Sequence, residues 1–272
     1  MISTFDQLLA GMRPPFDLLK VGGTMEAAGV LHSLFYASGS PGAAAAPSPG
    51  LGGAALTTYA GQVPFQNPAS GLNSYLARLS GSATQPGKLI LCERLWHNSG
   101  IGITTTTGQT VNSATWPARC PPASGLTPDT LGGGIMVGLE ASAAIGGGAV
   151  TNTTISYTNS AGTASRTGTM ASWPATAAAG TFVPFQLAAG DVGIRSVQTL
   201  TLGTTYTSGT VHLVAFRRLA ELPMPLANVG FAIDAITSGF PRLYDNSVPF
   251  FLWHAAGTAA VTVNGSIAFT QG

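Results

Sequence analysis

From Lys88 to the end of the chain, apolar positions recur mainly with a period of two, separated by Thr, Ser and Gly. That alternation predicts short strands half-buried against a core. The runs predicted as strands are 89–96, 101–107, 110–116, 135–142, 151–158, 164–169, 181–187, 194–202, 210–216, 249–253, 259–263 and 266–270. Ile135, Val137 and Leu139 share one strand face, as do Val211, Leu213 and Ala215. Asn159-Ser160-Ala161-Gly162 supplies turn chemistry between two of these runs, and Asn264-Gly265 carries the dipeptide most typical of a two-residue hairpin.

The first eighty-odd residues follow a different pattern. Phe5, Leu8, Leu9 and Met12 recur at helical spacing behind a capping Ser3 or Thr4, and Pro14-Pro15 ends the run. Three turns are marginal alone, so the apolar side of this helix must dock on something. Leu72, Tyr75, Leu76 and Leu79 repeat the spacing and predict a second helix closed by Gly81. Between them, 39–53 is rich in Gly, Pro and Ala without periodicity and reads as a linker or surface arm. The expected organisation is an N-terminal arm over 1–87 with short helices, followed by a β domain over 88–272. The expected fold class is mainly β, an antiparallel sandwich of jelly-roll type with a partly helical N-terminal arm. Alternating helices, which a parallel α/β sheet requires, are missing from the pattern.

Composition narrows the function. The 272 residues include 36 Gly and 18 Pro, and only 8% are charged, with 11 Lys and Arg against 10 Asp and Glu. An average soluble domain carries about 25% charged residues, so a fully solvated monomer surface is hard to build from this chain. Nine of the eleven cations are arginine, the cation enriched at protein interfaces where lysine is depleted. Both features favour a subunit surrounded by copies of itself. The near-neutral balance disfavours nucleic acid as a partner. No basic n-region or long apolar run suggests a secretion signal or a membrane span. Cys92 and Cys120 are too few for a disulfide framework and read as two buried thiols.

Searches for chemistry return little. There is no Gly-x-Ser-x-Gly elbow and no Gly-x-Gly-x-x-Gly turn. The run 81–88 (GSATQPGK) is one residue too long for a phosphate loop and is followed by Leu89 in a strand. His32, His97, His212 and His254 show no metal-ligand spacing, so no metal or cofactor is expected. His212, between Val211 and Leu213, is expected at solvent or a subunit boundary. Among the ten carboxylates no spacing selects a catalytic pair such as Glu93 with Glu140. Ion pairs are expected instead between Glu93 and Arg94, Asp191 and Arg195, and Asp245 and Arg242. Trp96, Trp116, Trp173 and Trp253 raise the alternative of a sugar-binding platform, although aromatics more often pack in cores and seams.

Six phrases carry a resemblance: 94–100 (RLWHNSG), 109–113 (QTVNS), 156–163 (SYTNSAGT), 190–198 (GDVGIRSVQ), 208–216 (SGTVHLVAF) and 238–246 (SGFPRLYDN). Across these segments, about half the chain, it resembles structural proteins of tailed-bacteriophage particles. The resemblance implies a virion component made in the host bacterial cytoplasm, without catalytic residues, and most simply a capsid decoration or cement protein. A neck, tail or fibre component and a carbohydrate-binding host-attachment module are the alternatives. The implied partners are copies of the chain, a trimer among the candidate assemblies, and virion proteins such as the major capsid protein, with no membrane. Phe5, Leu8, Leu9, Met12 and Phe16 are the expected partner-binding residues.

Overall fold

The computed structural model describes residues 2, 4–25, 28–122, 124–125 and 127–272. The chain is mainly β, 44% strand and 2% helix, with antiparallel sheets in a sandwich-like arrangement. One helix, α1 (Phe5–Ala10), precedes the strands. These are β1 (Phe16–Val21), β2 (Leu31–Ser33), β3 (Ser38–Ser40), β4 (Ala54–Ala55), β5 (Ser74–Ala83) and β6 (Gly87–His97). Then come β7 (Gln109–Thr110), β8 (Met136–Gly146), β9 (Thr154–Asn159), β10 (Arg166–Met170), β11 (Thr181–Gln186) and β12 (Ile194–Thr201). The series ends with β13 (Ser208–Met224), β14 (Phe231–Asp234), β15 (Arg242–Leu243), β16 (Pro249–Ala255) and β17 (Thr262–Gln271). Among the described residues no helix is long and apolar enough to cross a membrane.

Two compact units form, and they do not divide at residue 88. The first holds 1–44, 58–93 and 218–272, and the second holds 45–57 and 94–217. Strands β6 and β13 each contribute residues to both.

In the first unit, β14, β5, β17, β1 and β3 hydrogen-bond in that order, with β15 also on β5. Leu18, Leu76, Leu79, Val263 and Ile267 of this sheet share a core with Leu89, Leu91, Phe251 and Trp253 of β6 and β16. In the second unit β13, β8, β11, β10, β9, β12 and β7 follow one another. Val137, Leu139, Val211, Leu213, Ile155, Val197 and Leu200 enclose its core with Trp96, Trp116 and Trp173. The opposite face of β8 and β13 is buried too. Phe182 of β11 packs edge-on against Phe216 at 5.0 Å, and its ring occupies the place of a side chain at Gly138, where a Cβ would lie 2.4 Å from it.

Several expectations change. Residues 74–83 form strand β5 rather than a helix, because the register jumps at Ala77: Arg78 opposes Ala268 while Leu76 opposes Phe269. That bulge turns a spacing of three into two core-facing positions, so Leu76 and Leu79 are both fully buried. Asn264-Gly265 lies inside β17, not in a hairpin; Gly265 opposes Gly81, and a Cβ on Gly265 would sit 2.2 Å from the Ser80 carbonyl oxygen. Runs 101–107 and 110–116 are loop apart from β7. The expected linker at 39–53 begins in β3 and is tied down: the backbone N–H of Gly50 donates to Ser99 Oγ at 2.8 Å, and Trp96 Nε1 donates to the Gly52 carbonyl at 3.0 Å. The 159–162 turn holds, with Gly162 at a φ of 88° and the Thr163 N–H donating to Asn159 Oδ1 at 2.8 Å.

Candidate functional site

A buried polar cluster lies in the second unit on that face of β8 and β13. Antiparallel register sets His212 beside Glu140. Arg94 grips Glu140 with both ends of its fork, Nη1 to Oε1 at 3.0 Å and Nη2 to Oε2 at 2.7 Å, and both side chains are fully buried. Arg94 Nε also donates to His97 Nδ1 at 3.2 Å. With that nitrogen accepting, His97 is neutral; burial first, then Arg94 and His212, push its pKa down to about 2.

His212 is held the other way round. Its Nδ1 lies 2.8 Å from the Asn98 carbonyl, which can only accept, so the proton sits on Nδ1. Nε2 then accepts from Ser142 Oγ at 2.7 Å. Burial lowers the pKa of His212, against the opposing pull of Glu140. Asn98 is itself fixed, since Leu213 N–H donates to its Oδ1 at 2.7 Å and its Nδ2 donates to the Leu51 carbonyl at 3.1 Å. Ser142 sits at a register shift of β8, where Val211 opposes Ala141 and Thr210 opposes Ala143.

A hydroxyl on the bare nitrogen of an oriented histidine is the first part of a nucleophilic site. The rest of the cluster is committed internally: Arg94, Glu140 and His212 are fully buried, and Glu140 serves as counter-ion to Arg94. The surface cavities described next are lined by other residues.

A second polar centre surrounds Asp191. Tyr157 Oη donates to Oδ2 at 2.6 Å, Asn159 Nδ2 to Oδ1 at 2.7 Å, and Arg166 Nε to Oδ2 at 2.9 Å. These bonds, with those of Tyr157 and Asn159 foremost, hold its carboxyl down at about 2. Next to it the exposed Val192 joins Pro121, Pro122, Leu131 and Ala161 around an apolar cavity of about 390 Å³.

The expected partner-binding residues fall in the first unit. Thr4 caps α1, accepting from the Gln7 N–H at 3.2 Å; the alternative cap, Ser3, lies outside the described residues. No residue of α1 is buried. Phe5 is 66% exposed, Leu9 54% and Met12 41%. Leu8 is half-buried, its carbonyl accepting from Thr270 Oγ1 at 2.8 Å. Phe16 stands apart on β1, half-buried against the core. A cavity of about 370 Å³ runs along α1, lined by Gln7, Gly11, Arg13, Leu72 and Gln271.

Other sequence expectations are corrected here. His212 is fully buried, not at a boundary. Glu93 and Arg94, neighbours on one strand, point to opposite sides; Glu93 accepts from Ser247 Oγ at 2.9 Å while Arg94 pairs with Glu140. Asp191 pairs with Arg166 rather than Arg195. Arg242 donates to Asn73 Oδ1 and stacks 4.8 Å above the Tyr244 ring instead of pairing with Asp245. All four tryptophans are at most 1% exposed, so none forms a sugar platform. Cys92 and Cys120 are buried free thiols, as expected. Among the described residues no three His, Cys, Asp or Glu side chains gather as a metal site.

The Ser142–His212–Asn98 chain was missed because its members lie 70 and 114 residues apart, and only the strand register unites them. No protein-family model, curated protein or solved structure matches the chain.

Proposed function

We propose that the protein is a non-enzymatic structural component of a tailed-phage particle, most simply a capsid decoration protein that binds as many copies. The observation that carries the reading is α1, a capped helix with no buried residue that presents Phe5 and Leu9 to solvent. A six-residue helix is too short to persist on propensity, and its exposed Phe5 and Leu9 gain from burial against another chain. Low charge and the preference for arginine support the same reading, because a repeated subunit covers much of its surface with neighbours. The resemblance of 94–216 to virion proteins supplies the class of particle. Many weak contacts on a symmetric shell suffice for tight attachment.

The test is co-sedimentation of the purified protein with particles that lack it. The wild-type chain is expected to pellet with the particles, and the exposed-face variant Phe5→Ser/Leu9→Ser to stay in solution with an unchanged circular dichroism spectrum. Deletion through Gly53 would be a poor test, since it removes β1 and β3 from their sheet. A wild-type chain that never pellets, or a variant that pellets equally, overturns the reading.

A further inference from the structure

The apolar cavity beside Asp191 in the second unit has walls that are already fixed. Val192, 74% exposed, stands on a turn fastened at several points. The Asp191 N–H donates to the Ala188 carbonyl at 3.1 Å, the Ala188 N–H to Tyr157 Oη at 2.9 Å, and the Gly134 N–H to the Val192 carbonyl at 3.1 Å. Leu131, also exposed, and Pro121, Pro122 and Ala161 continue the lining. The volume of about 390 Å³ falls within the range of about 300–1,000 Å³ of pockets that hold ligands. An exposed apolar side chain on a rigid turn loses little conformational entropy when a partner covers it. Arg195 borders the hollow: its Nη1 lies 3.7 Å from the place of a Cβ at Gly162, the neighbour of Ala161. Because Asp191 pairs with Arg166, Arg195 has no ion-pair partner among the described residues.

We infer that this hollow receives α1 of a second copy of the chain, with Phe5 and Leu9 in the cavity and Asp6 against Arg195. Phe5 and Leu9 stand one helical turn apart, with Cβ atoms about 5–6 Å from each other, and form a short apolar ridge that no residue of their own unit covers. Ridge and hollow are complementary in charge as well as in shape. Asp6, the one charged residue of α1, is exposed, flanks the ridge beside Phe5 and has no ion-pair partner among the described residues. It thus meets a cation at the rim of the hollow that is unpaired in the same way. Asp129 on the cavity wall accepts from the Leu131 N–H at 2.8 Å and repels a second acid, so the helix enters with Asp6 toward Arg195. The contact is heterologous, since the patch that gives and the patch that receives differ. Each copy that inserts its helix can receive another, and repetition joins many copies.

The inference deepens the particle reading, on which it rests for α1 as an interface element, by naming what α1 meets; its test needs no particles. Sedimentation velocity over a concentration series of the full chain supplies the readout, with circular dichroism on each variant. The wild-type chain is expected to self-associate. The ridge variant Phe5→Ser/Leu9→Ser and the hollow variant Leu131→Ser/Val192→Ser, altered only at exposed positions, are each expected to be monomeric and folded. Mixed together they are expected to associate, because one contributes an intact hollow and the other an intact helix. Asp6→Arg and Arg195→Asp, each alone, are expected to raise the dissociation constant by about tenfold or more, and the double reversal to restore it. A wild-type chain that stays monomeric at about 100 μM, where a contact of micromolar affinity is saturated, overturns the inference. So does association that either serine variant leaves unchanged, a mixture that stays monomeric, or a double reversal that fails to restore binding. A monomeric wild-type chain that still pellets with particles through Phe5 and Leu9 sinks this inference and leaves the particle reading standing; association as expected in a chain that ignores particles does the reverse.

Discussion

Arg94 and Glu140 face each other in the second unit through one hydrogen bond, Nη1 to Oε1, and a 2.7 Å ionic contact of Nη2 with Oε2, with no solvent contact. Breaking such a pair from one side leaves an unpaired charge in the interior, which typically costs about 3–5 kcal/mol. Glu140→Ala is therefore expected to destabilise the second unit by that amount. Removing both partners, Arg94→Met with Glu140→Leu, is expected to cost much less, because no charge stays behind. Three of the four tryptophans lie in that unit, so fluorescence-monitored urea unfolding reads the difference. A double variant as unstable as the single one would contradict this account of the cluster.

Acid should weaken the same unit before the carboxylates titrate. His97 is held at about 2 in the fold against an ordinary 6.5, and His212 is lowered as well. Below pH 6.5 the unfolded chain takes up protons that the folded chain refuses, so stability falls as pH falls. The urea midpoint of the second unit is expected to drop between about pH 7.5 and 5.5. His97→Gln, which keeps an acceptor for Arg94 Nε, is expected to flatten that slope. A midpoint that is constant or rises over this interval would show that neither imidazole is held neutral.

Ser142 offers a check on the non-enzymatic reading. Its hydroxyl bonds to the bare nitrogen of His212 at 2.7 Å, the arrangement that organophosphorus reagents detect in serine hydrolases. With His212 fully buried and the cluster occupied by the Arg94–Glu140 pair, no covalent adduct is expected from a fluorophosphonate probe. Intact-mass spectrometry showing one probe per chain, abolished by Ser142→Ala, would replace the structural reading with a hydrolytic one.

The strand register at Gly265 is open to a direct mutation. An added methyl would meet the Ser80 carbonyl oxygen at 2.2 Å, and backbone cannot yield as a flexible side chain does. Gly265→Ala is expected to cost about 1–3 kcal/mol, read as a lower unfolding midpoint of the first unit. A neutral effect would fit the hairpin expected from Asn264-Gly265 and not a continuous β17.

What the sequence revealed and what it hid follow from the range of each interaction. Alternation is local, so β8, β9, β11, β12 and β16 were legible from single runs such as Ile135, Val137 and Leu139. A bulge is not local: Ala77 is extra only relative to Phe269, and without that partner Leu76 and Leu79 mimic a helix. The division into units was hidden for the same reason, since β6 and β13 pass through both. The polar cluster depends on pairing His212 with Glu140 and placing Arg94 and Asn98 beside them, with Arg94 46 residues from Glu140 and Asn98 114 from His212. Short-range chemistry fared better, as the Thr4 cap and the Gly162 turn show. Adjacent opposite charges were misleading, because strand neighbours such as Glu93 and Arg94 diverge.

We propose that this chain works as a repeated part of a particle. Quantitative mass spectrometry of gradient-purified phage particles tests it most directly. The account predicts the chain in the particle fraction at a fixed ratio to the major capsid protein across independent preparations; its absence from particles, with the protein left in the soluble lysate, would contradict it.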